Sequence, residues 1–243
     1  MAQKKVNAVI HSQEKLAEGI YSMWLDAPEM AKAAVPGQFI AVYTNDQSKL
    51  LPRPISICEA DKENGRLRIV YRIAGAGTKE FSAYKEGDTL DIMGPLGNGF
   101  PLKKKKAFLI GGGIGIPPML ELAKNLDCEK TAVIGYRDKE TFLADELRKY
   151  ADVVIATEDG SVGTKGNVID AIRAEKLTAD IIYACGPTPM LKALKAYAME
   201  NGIECYISLE EKMACGIGAC LGCVCHSKDI DEHSNVRNKR ICK

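Results

Sequence analysis

The sequence lacks a surplus of charge of either sign. Its 243 residues include 33 Lys and Arg against 32 Asp and Glu, which leaves a net charge of +1. Such a balance provides no general attraction to nucleic acid, to an anionic membrane or to an acidic substrate. We therefore expect partners to be recognised by local sites, and we expect neither a nucleic-acid nor a membrane partner.

A long hydrophobic run is also missing. The longest apolar stretch, residues 107–120, is too short and too rich in Gly and Pro to span a bilayer. The first residues, MAQKKVNAVIHSQEK, have no apolar centre of the kind found in a signal peptide. These absences predict a cytoplasmic protein, and a hydrophobic content of 46% is ample for buried cores.

Cysteine is present but unevenly distributed. Four of the nine cysteines are scattered over the first 214 residues, and five lie in the last 29, namely Cys215, Cys220, Cys223, Cys225 and Cys242. An odd total in a chain without an export signal argues against a disulfide framework. The C-terminal cluster instead favours a metal or iron–sulfur site.

The chain divides into three segments of different texture. Residues 1–102 contain short β-runs at 5–10, 37–43, 66–72 and 89–93 separated by turns, which predicts an antiparallel β-barrel. In residues 103–208, strands at 107–110, 131–135, 153–156, 181–184 and 204–208 alternate with helices at 117–126, 141–150, 168–175 and 187–201. This alternation predicts a doubly wound parallel α/β sheet that binds ligands at the carboxyl ends of its strands. Residues 209–243 form a separate cysteine-rich module.

The most specific motif is the spacing of Cys215, Cys220 and Cys223. The pattern C-x4-C-x2-C with a later fourth cysteine is how plant-type ferredoxins bind a 2Fe-2S cluster. The three glycines in this segment suit such a loop, because residues without a Cβ let backbone amides approach sulfur closely.

Cys242 is the predicted fourth ligand. Cys225 lies only two residues from Cys223 and is expected to point away from it. A structural zinc site is the alternative, but zinc thiolates are typically paired as two short C-x2-4-C knuckles. The spacing therefore favours a 2Fe-2S cluster over zinc.

A glycine-rich turn follows the first strand of the α/β segment and contains Gly111, Gly112, Gly113 and Gly115. It opens a helix that begins at Pro117, and free amides at a helix N-terminus attract phosphate. Close packing is the alternative reason for glycine in such a turn, so the motif alone leaves both open.

The segment after the fourth strand contains Cys185, Gly186 and Pro187. Cys185 either fills the core or faces the ligand crevice at the carboxyl end of its strand, beside a nicotinamide. After the second strand, Asp138 is suited to a ribose hydroxyl and Arg137 to a 2′-phosphate, so these residues do not decide between NAD and NADP.

The barrel segment contains an arginine between two prolines, Pro52 and Pro54. Extended backbone at such a position presents the guanidinium of Arg53 to a phosphate with little freedom left to lose. Ser56 and Thr78 add hydroxyl groups nearby in the sequence.

Together the motifs RPIS, GAGT, GGGIGIPP and CGPTPM, in this order, resemble the ferredoxin–NADP reductase superfamily. With the tail EKMACGIGACLGCVC the chain is similar to the electron-transfer subunits of class B, NAD-dependent dihydroorotate dehydrogenases. The resemblance implies FAD bound by Arg53, Pro54, Ile55, Ser56, Val70, Tyr71, Arg72, Gly77 and Thr78. It implies exchangeable NAD at the glycine turn and at Cys185, Gly186 and Pro187.

The function implied by the resemblance is electron transfer within pyrimidine (UMP) biosynthesis. Electrons pass from the FMN of a catalytic subunit through the 2Fe-2S cluster and FAD to NAD+, in a heterotetramer of two subunits of each kind. Dihydroorotate is oxidised on the partner, so no catalytic acid or base is expected here, and His11, His226 and His233 receive no role.

Two other functions remain open on the sequence. One is a related subunit with FAD and a 2Fe-2S cluster, such as that of an NADH-dependent ferredoxin–NADP oxidoreductase or an anaerobic sulfite reductase. The other is a non-redox module in which zinc staples the tail to a nucleotide-binding domain.

Overall fold

The computed structural model describes residues 4–46, 48–232 and 234–243. The first part is a closed antiparallel barrel with the strand order β1-β2-β5-β4-β3-β6. Its strands are β1 (Lys4–Ala17), β2 (Ile20–Asp26), β3 (Phe39–Val42), β4 (Arg53–Asp61), β5 (Arg66–Arg72) and β6 (Thr89–Leu96), with the short helices α1 (Pro28–Ala33) and α2 (Ala76–Phe81). The predicted barrel is confirmed.

The barrel forms because its strands alternate between apolar and polar residues. In β6, for example, Leu90 and Ile92 are fully buried while Thr89 is exposed and Asp91 only partly buried, which is the period of a strand with one face in the core. Two strands, β2 and β4, were not among the predicted β-runs. The extended backbone predicted at Arg53 is confirmed, because Arg53 and Pro54 lie within β4 and Pro54 is opposite Ala41 of β3.

The second part is a six-stranded parallel sheet with the order β10-β9-β8-β7-β11-β12. Its strands are β7 (Ala107–Gly112), β8 (Lys130–Tyr136), β9 (Asp152–Thr157), β10 (Thr164–Lys165), β11 (Ile181–Cys185) and β12 (Glu204–Ser208). Its helices are α3 (Pro117–Asn125), α4 (Ala144–Leu147), α5 (Val168–Ala174) and α6 (Thr188–Asn201). The last part contains a two-stranded antiparallel ribbon of β13 (Val224–His226) and β14 (Asn238–Arg240).

Helices cover both faces of the sheet, as the doubly wound prediction requires. Leu109 packs on one side in a cluster that includes residues of α3 and α4, whereas Phe108 packs on the other with residues of α5 and α6. The helix predicted at 141–150 is reduced to α4. Leu143 before it has a left-handed φ of +65°, and the Tyr136 hydroxyl donates to the Phe142 carbonyl, so this stretch forms a turn.

A buried ionic network joins the barrel to the sheet. Arg68 of β5, 5% exposed, forms an ion pair with Glu146 of α4 and donates from Nε to Ser22 Oγ at 2.9 Å. Glu59 of β4 lies 3.5 Å from Arg68 and pairs with Lys124 of α3 at 2.5 Å. Within the described residues, no helix is long and apolar enough to cross a membrane.

Replacing Arg68 should weaken this contact strongly. Arg68→Met leaves Glu59 and Glu146 without their shared cation, and losing one partner of a buried pair costs about 3–5 kcal/mol. We expect the free energy of unfolding measured in urea to fall by about 3 kcal/mol, the lower end of this range, because Glu146 is partly exposed to solvent. The matched control is Arg66→Met, whose pair with Asp26 is 33% and 42% exposed, with an expected loss below about 1 kcal/mol. Equal losses in the two variants would contradict the assignment.

Candidate cofactor-binding sites

A cavity of about 1060 Å³ opens where the three parts of the chain meet. The barrel, the carboxyl edge of the sheet and the C-terminal module all contribute to its lining. The lining includes Arg53, Pro54, Ile55, Ser56, Val70, Tyr71, Arg72, Thr78, residues 97–100, Ile114, residues 206–213, Cys225, residues 239–241 and Lys243. Eight of the nine residues predicted for FAD therefore lie around one space, and Gly77 is the exception.

Arg53 lines the cavity and is the candidate phosphate ligand. Its Nη1 donates to the Leu51 carbonyl at 2.6 Å and reaches Thr44 Oγ1 and the Lys49 carbonyl at 3.5 Å. No ion pair to this guanidinium is found in the part of the chain that the structure describes. Gly77 lies directly against it, because a Cβ there would stand 2.6 Å from Nη2. A cation at the cavity without a carboxylate partner fits the diphosphate of FAD.

Thr78 forms hydrogen bonds within the turn that precedes α2. Its Oγ1 accepts from the N–H of Ala74 at 2.8 Å and of Gly75 at 3.2 Å. This holds the turn before α2 against Arg53, so Thr78 supports the predicted site as well as lining it. Ser56 lies in β4, half-buried at the cavity.

Strand β5 provides a rigid wall. Val70 and Tyr71 are each 2% exposed, and the Tyr71 hydroxyl donates to Gln13 Oε1 at 2.8 Å. The Tyr71 ring stacks on Tyr21 with a centroid distance of 5.9 Å, and burial raises the pKa of its phenol. Arg72, at the end of the strand, is exposed.

The predicted nucleotide turn and the segment after β11 lie side by side. A Cβ on Gly112 would stand 2.6 Å from Met190 Sδ, and one on Gly115 would overlap the Cys185 carbonyl. Close packing therefore explains these two glycines. Gly113 differs, since it has a φ of +53° and no atom within 4 Å of a Cβ position, so its backbone is open to a ligand.

Cys185 lies in the core rather than on the cavity surface. It is 2% exposed, and burial raises the pKa of its thiol to about 12. Ser208, its partner in the parallel register, does line the cavity. The position of Cys185 beside a nicotinamide stays a prediction, as do the contacts of Gly186 and Pro187.

Other predicted positions lie away from the cavity. Arg137 and Asp138 are exposed after β8, and Asp138 Oδ1 accepts from the Glu140 N–H at 2.9 Å, which leaves its second oxygen for a ribose hydroxyl. Neither His11 nor His226 is part of the cavity lining, and His233 lies outside the described residues.

The four cysteines predicted as ligands form two pairs, and the described residues contain no group of three or more potential ligands placed closely enough to hold a metal ion. The Cys220 N–H points to Cys215 Sγ at 3.4 Å, and the sulfur atoms of Cys223 and Cys242 are 3.3 Å apart. The ribbon makes the second pair, because the Ile241 N–H donates to the Cys223 carbonyl at 3.1 Å. Cys225 has no sulfur contact of this kind in the described region and lines the cavity instead.

The environment of these thiols suits thiolate ligands. Burial opposes ionisation of Cys215, yet hydrogen bonds from the N–H groups of Cys220, Ile217 and Ala219 lower the pKa of its thiol to about 6. Burial and the neighbouring Cys223 raise the pKa of Cys242 to about 11. Crowded thiols that hinder one another's ionisation are stabilised as thiolates by positively charged iron, so this donor set fits a 2Fe-2S cluster.

Several lining residues were not predicted. Residues 206–213 reach the cavity because β12 runs parallel to β11 and ends at the same edge. They could have been identified only from the rule that ligands of parallel sheets bind at the carboxyl ends of the strands. Residues 97–100 and Arg240 had no such signal.

Comparisons with known proteins agree with this geometry. A family model described as the oxidoreductase FAD-binding domain matches residues 7–100. A second, described as the iron-sulfur cluster binding domain of dihydroorotate dehydrogenase B, matches residues 210–243. Two curated relatives are both called dihydroorotate dehydrogenase B (NAD(+)), electron transfer subunit. That of Geobacillus sp. (strain WCH70) is 41% identical over 100% of this chain and 95% of the relative, and that of Streptococcus mutans is 45% identical over 96% and 93%.

The chain belongs to the family of dihydroorotate dehydrogenase B electron transfer subunits. It therefore carries an FAD-binding domain and an iron–sulfur cluster-binding domain, and the zinc alternative is not supported. A solved structure of the NADH-dependent reduced ferredoxin-NADP oxidoreductase has a TM-score of 0.86 and 32% identity, covering 97% of this chain and 85% of that chain. The ferredoxin reductase of carbazole 1,9a-dioxygenase, 20% identical with a TM-score of 0.71 over 85% and 69% of the two chains, shares the fold.

Removing the Arg53 guanidinium should weaken FAD binding. Arg53→Ala loses a charge-assisted phosphate contact worth about 1.5–3 kcal/mol, which corresponds to a loss of affinity of about tenfold to a hundredfold. Titration of the flavin-free protein with FAD, followed by fluorescence, measures the change. Unchanged affinity would remove Arg53 from the site.

A pair of glycine variants tests the same contact without removing the charge. Gly77→Ala forces the guanidinium away and should also weaken FAD binding, whereas Gly75→Ala meets no atom within 4 Å and should not.

Proposed function

We propose that this chain is the electron-transfer subunit of an NAD-dependent dihydroorotate dehydrogenase and transfers electrons from a catalytic partner to NAD+ in pyrimidine synthesis. The main support is the shared cavity. Predicted FAD ligands from the barrel and residues 239–241, which directly precede Cys242, line the same space. The candidate flavin and cluster sites are thus adjacent, as electron transfer between them requires.

When bound, a 2Fe-2S cluster exchanges single electrons, FAD exchanges one or two, and NAD+ accepts a hydride. The residues of this chain bind and orient these groups. Arg53, Ser56 and Tyr71, which line the cavity, would hold FAD, and the four cysteines would hold the iron. No side chain need act as an acid or base, since dihydroorotate binds to the partner.

The three segments divide this work. We assign FAD binding to residues 1–102, NAD binding to 103–208 and cluster binding to 209–243. NAD is proposed over NADP because the curated relatives are named for NAD(+), whereas the exposed Arg137 and Asp138 suit either nucleotide. A cytoplasmic location stays a prediction.

The partner surface is assigned to the cluster module. Its exposed apolar side chains are Ile217, Leu221, Val224, Ile230 and Val236, which are 37–62% exposed. Ile217 and Leu221 flank Cys220 in the sequence, so a partner that docks on them approaches the cluster closely. Exposed apolar side chains fit a surface on which a catalytic subunit docks, and the resemblance implies that this partner contains FMN in a complex with two copies of each chain.

A charge within this surface should weaken assembly. Leu221→Asp desolvates a carboxylate at the interface and should lower the affinity for the catalytic subunit at least tenfold in a pull-down or calorimetric titration. Met199→Asp on α6 is the control, because Met199 is 74% exposed but lies in the sheet domain. Equal effects of the two substitutions, or none from Leu221→Asp, would exclude this surface.

Cys220→Ser tests the electron pathway. An oxygen donor is a poor replacement for thiolate, so the variant should lose its 2Fe-2S absorbance and EPR signal while retaining FAD. It should still oxidise NADH with an acceptor that takes electrons from flavin, but fail to reduce NAD+ with dihydroorotate in the reconstituted complex.

Cys225→Ser is the matched control and should retain the cluster. Dihydroorotate-dependent NAD+ reduction at the wild-type rate in a verifiably cluster-free complex would refute the proposed pathway.

A further inference from the structure

Arg240 of β14 is a buried cation between the two candidate cofactor sites. Its side chain is 7% exposed, and it also lines the cavity. Nη1 donates to the carbonyl of Gly218, and Nη2 donates to Asp231 Oδ1 at 2.8 Å. Nε is buried and has no hydrogen-bond partner among residues 4–46, 48–232 and 234–243.

The contact to Gly218 reaches a candidate ligand of iron. Gly218 has a φ of +78°, and its N–H donates to Cys242 Sγ at 3.2 Å. This left-handed φ favours glycine, because side chains with a Cβ rarely adopt it. By fixing the Gly218 carbonyl, Arg240 fixes the orientation of the residue whose amide points to the sulfur.

Asp231 does not satisfy the whole guanidinium. Its Oδ2 already accepts from the N–H and the hydroxyl of Ser234, both at 2.9 Å. Burying a cation is costly unless its N–H groups and its charge are compensated. One N–H therefore remains to interact with a negatively charged group at this position.

We propose that Arg240 is a positioning residue that raises the reduction potential of the 2Fe-2S cluster held by Cys215, Cys220, Cys223 and Cys242. This rests on the proposed function, which places a cluster there. Reduction adds one negative charge to the cluster. A desolvated positive charge and N–H groups directed at sulfur stabilise that more negative state, and hydrogen bonds to sulfur are known to set cluster potentials.

The test is an EPR-monitored potentiometric titration of the FAD-loaded protein. Arg240→Gln should lower the cluster potential by at least about 59 mV, a tenfold change in the one-electron equilibrium. Arg240→Lys, which keeps the charge, should fall between Gln and wild type. Arg237→Gln is the matched control, because it removes the same charge from an exposed position in the module and should leave the potential near that of wild type.

Asp231→Asn should move the potential in the opposite direction, because it removes the counter-charge and leaves the guanidinium. If Arg240→Gln fails to retain a cluster, a rise in Asp231→Asn supports the inference, and no change or a fall overturns it. If the wild-type protein has a cluster and Arg240→Gln leaves its potential unchanged, this inference is refuted and the proposed function is not. A wild-type protein without any 2Fe-2S signal refutes the proposed function and this inference together.

Discussion

The parallel register of β7, β11 and β12 is the constraint on which the other features depend. Gly111 lies opposite Cys185, and Cys185 lies opposite Ser208, so three strands end at one level. The glycine turn, the Cys185 segment and the exit of the chain toward the cysteines therefore share one edge. The Arg68 network holds the barrel against α3 and α4 of the sheet domain, and barrel residues line the cavity together with this edge.

Periodicity predicted the architecture well, because each part has one dominant pattern. Alternation specified the barrel, and apolar strands between amphipathic helices specified the doubly wound sheet. The boundaries of the middle helix were wrong, since the left-handed Leu143 is a local exception that no residue pattern marks. Strand β4 was not among the predicted β-runs, although the extended backbone inferred at Arg53 lies at its start, where Pro54 is opposite Ala41 of β3.

Site residues could be predicted only where they lie close together in the sequence, so that their spacing identifies the motif. The spacing of Cys215, Cys220 and Cys223 predicted an iron–sulfur domain in the segment where the family model matches, residues 210–243. The lining by residues 206–213 and Arg240 depends on strand register and on the return of the chain through the ribbon, neither of which can be read from local residues. At Gly112 and Gly115 a motif that suggested nucleotide binding is explained by packing, because a Cβ at either position would lie too close to residues 185–190.

The ribbon of β13 and β14 also gives the candidate cluster a role in the folding of the tail. Cys223 and Cys242 are separated by eighteen residues, and their sulfurs meet only when Val224 pairs with Arg240. Iron bound to both would close that loop as a cross-link does and would lower the chain entropy of the unfolded tail. Binding of iron by this pair and folding of the ribbon would then be coupled in one equilibrium.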